Sequence, residues 1–125
     1  MKKIPLHKDD IQLIRQTIFS ATQYIFIPVE RSFLRLFLCD IIWIEAAGSY
    51  VKFHTFHGIY LSLFNLKEAM NRLPADKFSR INQSVIINII WIDWFDKDQM
   101  ILANGLPFGF GKDGKKDLIQ KIYIL

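Results

Sequence analysis

From Tyr24 onward the apolar residues fall in short alternating runs separated by turn formers. That pattern leaves little room for anything except antiparallel strands. Tyr24-Ile25-Phe26-Ile27 and Phe33-Leu34-Arg35-Leu36-Phe37-Leu38 flank the polar Glu30-Arg31-Ser32 and predict a hairpin. In Ile41-Ile42-Trp43-Ile44 both alternating sets are apolar, so that strand should be covered on two sides. After the small residues Ala46-Ala47-Gly48-Ser49, the alternation in Tyr50 to Thr55 puts Val51, Phe53 and Thr55 on one face and Tyr50, Lys52 and His54 on the other. A turn at His57-Gly58 leads to a returning strand from Ile59 to Leu63. Phe78 to Ile81 and Ser84 to Ile87 flank Asn82-Gln83. Ile92 to Phe95 and Met100 to Ala103 form a further hairpin, and Asn104-Gly105 is a strong tight-turn signal.

Two stretches break the strand pattern. Asn65-Leu66-Lys67-Glu68 carries a helix-capping signature, and Leu66, Met70 and Leu73 make a short apolar stripe that stops at Pro74. A glycine-rich stretch from Phe108 to Gly114 precedes a final helix expected over Lys115 to Tyr123. The prediction is a mainly β fold of about ten short strands in packed antiparallel sheets, with short helices. At 125 residues, 51% of them hydrophobic and 14% aromatic, the chain can build one core and is not a disordered tail.

The first 22 residues differ. Asp9 or Asp10 can cap a helix over residues 9–20 in which Ile11, Leu13, Ile14 and Ile18 recur, extended by Phe19, while Gln12, Arg15 and Gln16 stay polar. Such an amphipathic extension packs on its own domain or on a second copy. The chain thus divides into residues 1–22 and a domain over 23–125. No apolar run reaches the length of a membrane helix, and no secretory leader pattern is visible, so no membrane insertion and a cytoplasmic setting are expected. The single cysteine, Cys39, is expected as a small buried hydrophobe inside a strand.

Catalysis finds no support. His54 and His57 differ by an odd number in a strand and would point to opposite faces, so no metal site is expected. No nucleophile elbow is present. The glycines of Phe108 to Gly114 do not match a phosphate-binding loop, and Asp113 would repel phosphate. No cofactor and no enzymatic activity are expected. Sixteen Lys and Arg against twelve Asp and Glu give a formal charge of +4, which is compatible with a polyanionic partner but common among other proteins. The polar turns are more informative. Gly48-Ser49-Tyr50, Asn82-Gln83-Ser84 and Gly111-Lys112 offer donors suited to nucleic acid, since Asn and Gln pair with adenine, Lys reaches guanine or phosphate and Ser binds phosphate. Each is equally explained as an ordinary turn, a half-buried strand residue or a solvated charge.

The order of these segments resembles the LytTR family of bacterial DNA-binding domains. The resemblance rests on Asp40-Ile41-Ile42-Trp43-Ile44-Glu45-Ala46 with Tyr50-Val51-Lys52, Asn65-Leu66-Lys67-Glu68 with Leu73-Pro74, Phe78-Ser79-Arg80-Ile81, Ser84-Val85-Ile86-Ile87-Asn88, and Asn104-Gly105-Leu106-Pro107. It covers the chain from about Tyr24 to Tyr123. The resemblance implies an elongated β sandwich of three stacked antiparallel sheets that reads promoter DNA with loops entering successive grooves. Carried over by position, it implies a first contact at Ser49, Tyr50 and Lys52, a second at Arg80, Asn82 and Gln83 with Ser84 on phosphate, and a third at Lys112. The chain departs from the family pattern in two places. Asn82-Gln83 stand where the family usually has a His before a basic or amide residue. Gly109-Phe110-Gly111-Lys112 replaces a stretch that often reads Ser-Arg-Arg-Tyr or Gly-Arg-Ser-Tyr.

Two functions follow as expectations. One is a sequence-specific transcriptional regulator that binds double-stranded DNA as two copies on direct repeats. The other is a protein-interaction module that keeps the fold without DNA affinity. With about 22 residues ahead of the domain and no receiver among them, the chain is expected to be a stand-alone regulator or part of a longer one. A homodimer or a regulatory protein would then engage the amino-terminal helix.

Overall fold

The computed structural model describes residues 7–11 and 23–125. Among these, ten strands form three antiparallel sheets. Strands β1 (Tyr24–Val29) and β2 (Ser32–Phe37) make a two-stranded ribbon. A five-stranded sheet runs in the order β5-β4-β3-β7-β6, built from β3 (Ile41–Ala47), β4 (Tyr50–Thr55), β5 (Gly58–Ser62), β6 (Phe78–Arg80) and β7 (Val85–Asn88). The third sheet orders β8 (Ile92–Phe95), β9 (Gln99–Leu102) and β10 (Pro107–Gly109) as β10-β9-β8. Helices α1 (Leu66–Arg72) and α2 (Gly114–Ile119) complete the domain.

The five-stranded sheet is the middle layer because its residues feed two cores. Ile44, Val51, Phe53 and Ile86 pack with Ile27 and Leu36 of the ribbon and Leu66, Ala69 and Leu73 of α1. Val85 and Ile87 pack instead with Met100, Leu102 and Leu118. β7 is buried along its whole length, as a strand covered on both faces must be. Each fully buried Ile, Val, Leu, Phe or Met side chain among these contributes roughly 1.5–3 kcal/mol from apolar burial.

The doubly apolar run at Ile41 to Ile44 has a local cause. A register shift between Ile41 and Trp43 inserts a bulge opposite β4. Ile41 and Ile44 therefore both enter the first core, while Ile42 and Trp43 pack against the second. Trp43 then stacks on His54 at 3.8 Å between ring centres and 9° between planes. His54 Nε2 lies 2.7 Å from Glu45 Oε1.

The capping signature acts as expected: Asn65 Oδ1 accepts from Glu68 N at 2.9 Å. The buried face of α1 is Leu66, Ala69 and Leu73, with Met70 at its margin.

Four local features differ from the sequence expectation. Leu38, Cys39 and Asp40 form a 3-10 turn and not the end of a strand. Cys39 is only partly buried there, and burial beside the Asp40 carboxylate raises its thiol pKa. The turn before β4 is Gly48-Ser49 alone, with Gly48 at φ +63°, so Glu45 to Ala47 remain in β3. The tenth strand is Pro107–Gly109, hidden in what reads as a glycine-rich stretch. Helix α2 ends at Ile119, short of Tyr123. Of the expected helix over residues 9–20, a helical turn at 8–11 is described, with Ile11 N donating to His7 O at 3.1 Å; the rest lies outside the described residues.

Candidate nucleic-acid interface

The β6–β7 turn (residues 81–84) is organised by two side chains. Asn82 Oδ1 accepts from Ser84 N at 2.8 Å, closing an Asx turn, and Asn82 Nδ2 donates to Gly109 O at 2.9 Å. Arg80 folds over the same turn, with Nη2 donating to Gln83 O at 2.7 Å and Nε to Asn82 O at 3.4 Å. The Gln83 and Ser84 side chains are left exposed.

The segment after β10 is sewn onto this turn. Gly111 N donates to Ile81 O at 2.8 Å. A Cβ on Gly111 would sit 3.1 Å from Asn82 Cα, and one on Gly114 would sit 1.9 Å from Ile81 O. Glycine is therefore required at position 114, where backbones meet, and favoured at 111, where the contact is tight. Asp113 enters α2 at φ +64°, a left-handed conformation that Asn and Asp tolerate better than most residues. On the strand side, Phe108 packs against Trp43 at 5.5 Å, tying β10 to the middle sheet. The result is one shallow concavity lined by Asn82, Gln83, Ser84, Gly111, Lys112 and Asp113.

The β3–β4 turn reaches the same end of the sheet. Ala46 N donates to Ser84 O at 2.9 Å, two residues before the Gly48-Ser49 turn. Ser49 and Tyr50 are exposed there. Tyr50, however, lines a different hollow, with Glu30, Leu61 and Leu63. Lys52 lies further along β4, opposite Glu45 and Leu61. The structure thus brings Arg80, Asn82, Gln83, Ser84 and Lys112 into one unit. It puts Ser49 and Tyr50 beside that unit and leaves Lys52 on the sheet face.

A scan of family models matches residues 31–122 to the LytTr DNA-binding domain. The chain belongs to the LytTR family of DNA-binding domains. A solved LytTr DNA-binding domain, from a Bacillus cereus protein described as a methyl-accepting/DNA response regulator, superposes with a TM-score of 0.67. It is 16% identical, and the match covers 78% of this chain and 94% of that one. No curated protein matches the chain.

For this LytTR domain, the sequence already pointed to the three turns. It did not show why Gly111 and Gly114 are glycines, which is to let the third segment touch the second; only the clustering of glycines after Pro107 hinted at it. Among the described residues, no group of three or more His, Cys, Asp or Glu side chains could hold a metal ion, and no helix is long and apolar enough to cross a membrane.

Proposed function

We propose that this LytTR domain is a sequence-specific transcriptional regulator that lays one end of its middle sheet against duplex DNA. Gln83 and Lys112 are the principal base- or phosphate-contacting side chains, Ser84 binds phosphate, and Ser49 and Tyr50 meet the neighbouring groove. Arg80 and Asn82 act through the turn they hold, and Lys52 contributes charge at a distance. The observation that carries this reading is the shared concavity, in which an exposed amide and an exposed ammonium stand together on a rigidly bonded pair of turns. An amide can pair bidentately with adenine, and a Lys can reach guanine or phosphate. Two copies on direct repeats about 10–10.5 bp apart would face the same side of the duplex.

Selection from a random duplex library at two salt concentrations tests this. A defined motif is expected, with recovery falling as salt rises. Recovery without a motif would leave phosphate attraction alone, and no recovery would reject DNA binding. That last result would favour a module that keeps the fold for protein contacts, a reading supported by the Asp113 carboxylate beside Lys112 in the concavity.

A further inference from the structure

Trp43 and His54 stand directly opposite each other on β3 and β4. Neighbouring aromatic rings usually meet edge-on or offset, with centres about 4.5–7 Å apart. These two lie face to face, 3.8 Å apart and 9° from parallel. The imidazole is held in that stack from its edge. His54 Nε2 is 2.7 Å from Glu45 Oε1, and a carboxylate only accepts, so Nε2 carries the hydrogen. The His54 side chain is 12% exposed and that of Glu45 35%, so the bond is shielded at its imidazole end. Around it, Lys52 stands opposite Glu45, and Ile59 of β5 stands opposite His54.

The stacked ring in turn bears on the segment that carries Lys112. Among the described residues no hydrogen bond engages the Trp43 indole N–H, so packing sets its plane, with His54 stacked on it and Phe108 inclined to it by 57° at 5.5 Å. Phe108 is the middle residue of β10, a three-residue strand at the edge of its sheet that pairs only with β9. The next residue, Gly109, gives its carbonyl to Asn82 Nδ2, and Gly111 N donates to Ile81 O. Direct contacts therefore run from Glu45 through His54, Trp43 and Phe108 to the junction of the second and third turns. The position uses two properties of histidine at once, a flat ring that stacks and an N–H that reaches Glu45. Phenylalanine there would stack without the bond, and glutamine would bond without the aromatic stack.

We propose that His54, held by Glu45, is a positioning residue for the third recognition segment: it sets the Trp43 indole against which Phe108 seats β10. The inference rests on the proposed DNA reading for what that segment contacts. Contact alone does not establish coupling, which has to be measured.

Amide hydrogen exchange of the full chain without DNA, read residue by residue, measures it. In Glu45→Ala and in His54→Phe the Gly111 amide is expected to exchange at least about fivefold faster, a local loosening of the junction. The amide of Ala69, bonded to Asn65 O in α1, should change by less than about twofold, as a region that does not open with the junction. Glu45→Gln, whose side-chain oxygen still accepts from His54, should keep Gly111 within about twofold of the unsubstituted rate. Glu45 is the more exposed partner, so its two variants decide the matter even where His54→Phe disturbs folding. An unchanged Gly111 rate in Glu45→Ala would overturn the proposal by showing no coupling. Equal acceleration at Gly111 and Ala69 would overturn it by showing a general loss of stability, and so would a Glu45→Gln chain that loosens as Glu45→Ala does. Failure of the chain to select any duplex would count against the DNA reading, whereas these rates decide the positioning role without DNA.

Discussion

Asn82 and Gln83 are adjacent amides with different duties. Both ends of the Asn82 amide are engaged, one by Ser84 N and one by Gly109 O, whereas the Gln83 side chain points to solvent. Asn82→Ala should therefore destabilise the domain by about 1–2 kcal/mol and weaken DNA binding without changing base preference. Gln83→Ala should leave the melting temperature unchanged and relax preference at one base pair by about 1–3 kcal/mol. Thermal melts and competition binding against single-base operator variants separate the two. Gly114→Ala is the severe change. With its Cβ 1.9 Å from Ile81 O, it should cost about 3 kcal/mol or more, read as a loss of melting temperature, while Gly111→Ala, at 3.1 Å from Asn82, should be milder. None of this division was legible in the sequence. Which amide turns inward depends on the carbonyl of Gly109, far along the chain, and local propensity carries no trace of that distance.

Strands and helices were more legible, because their signals are local. Period-two alternation located the strands of the ribbon and the middle sheet. The Asn65 cap located α1, and Asn65→Ala should cost about 1 kcal/mol of stability in a chemical denaturation experiment. The tenth strand escaped because Pro107-Phe108-Gly109 is too short to alternate; it is a strand only because β9 is there to pair with. Leu38 and Cys39 looked like strand and form a 3-10 turn because Asn88, 4% exposed, donates from Nδ2 to Leu38 O at 2.9 Å and Ile41 O at 2.8 Å. One buried amide thus fixes the corner between the ribbon and the middle sheet. Asn88→Leu would remove its bonds to Leu38 O, Ile41 O and Ile90 N, leaving Leu38 O only the Ile41 N–H, and should cost about 2–3 kcal/mol in the same experiment. In the β8–β9 hairpin, Asp96 accepts from Asp98 N and Gln99 N, and these bonds lower its pKa. A lowered carboxylate pKa stabilises the fold above the ordinary Asp range, and that contribution is lost as pH falls through the folded value. Asp96→Asn should therefore reduce the difference in stability between neutral and acidic solution, seen by comparing melts at both.

The molecule as a whole is a stack of sheets that directs its turns to one end. The middle sheet sets the direction of the β3–β4 and β6–β7 turns, and the third sheet delivers the segment after β10 against the second turn through Phe108, Gly111 and Gly114. Stacking of this kind gives a surface whose parts cannot move independently, which suits readout by loops in place of a groove-filling helix. Its formal charge is only +4, so the proposed attraction to phosphate rests on the local placement of Lys112 and its neighbours more than on the overall field. The direct measurement is the affinity of the full chain for its selected duplex as a function of salt. A straight fall of log K with log salt concentration is predicted, its slope reduced by about one unit in Lys112→Ala if that ammonium meets a phosphate. Affinity that does not change with salt, in the chain and the variant alike, would contradict a DNA-reading surface at this end of the sheet.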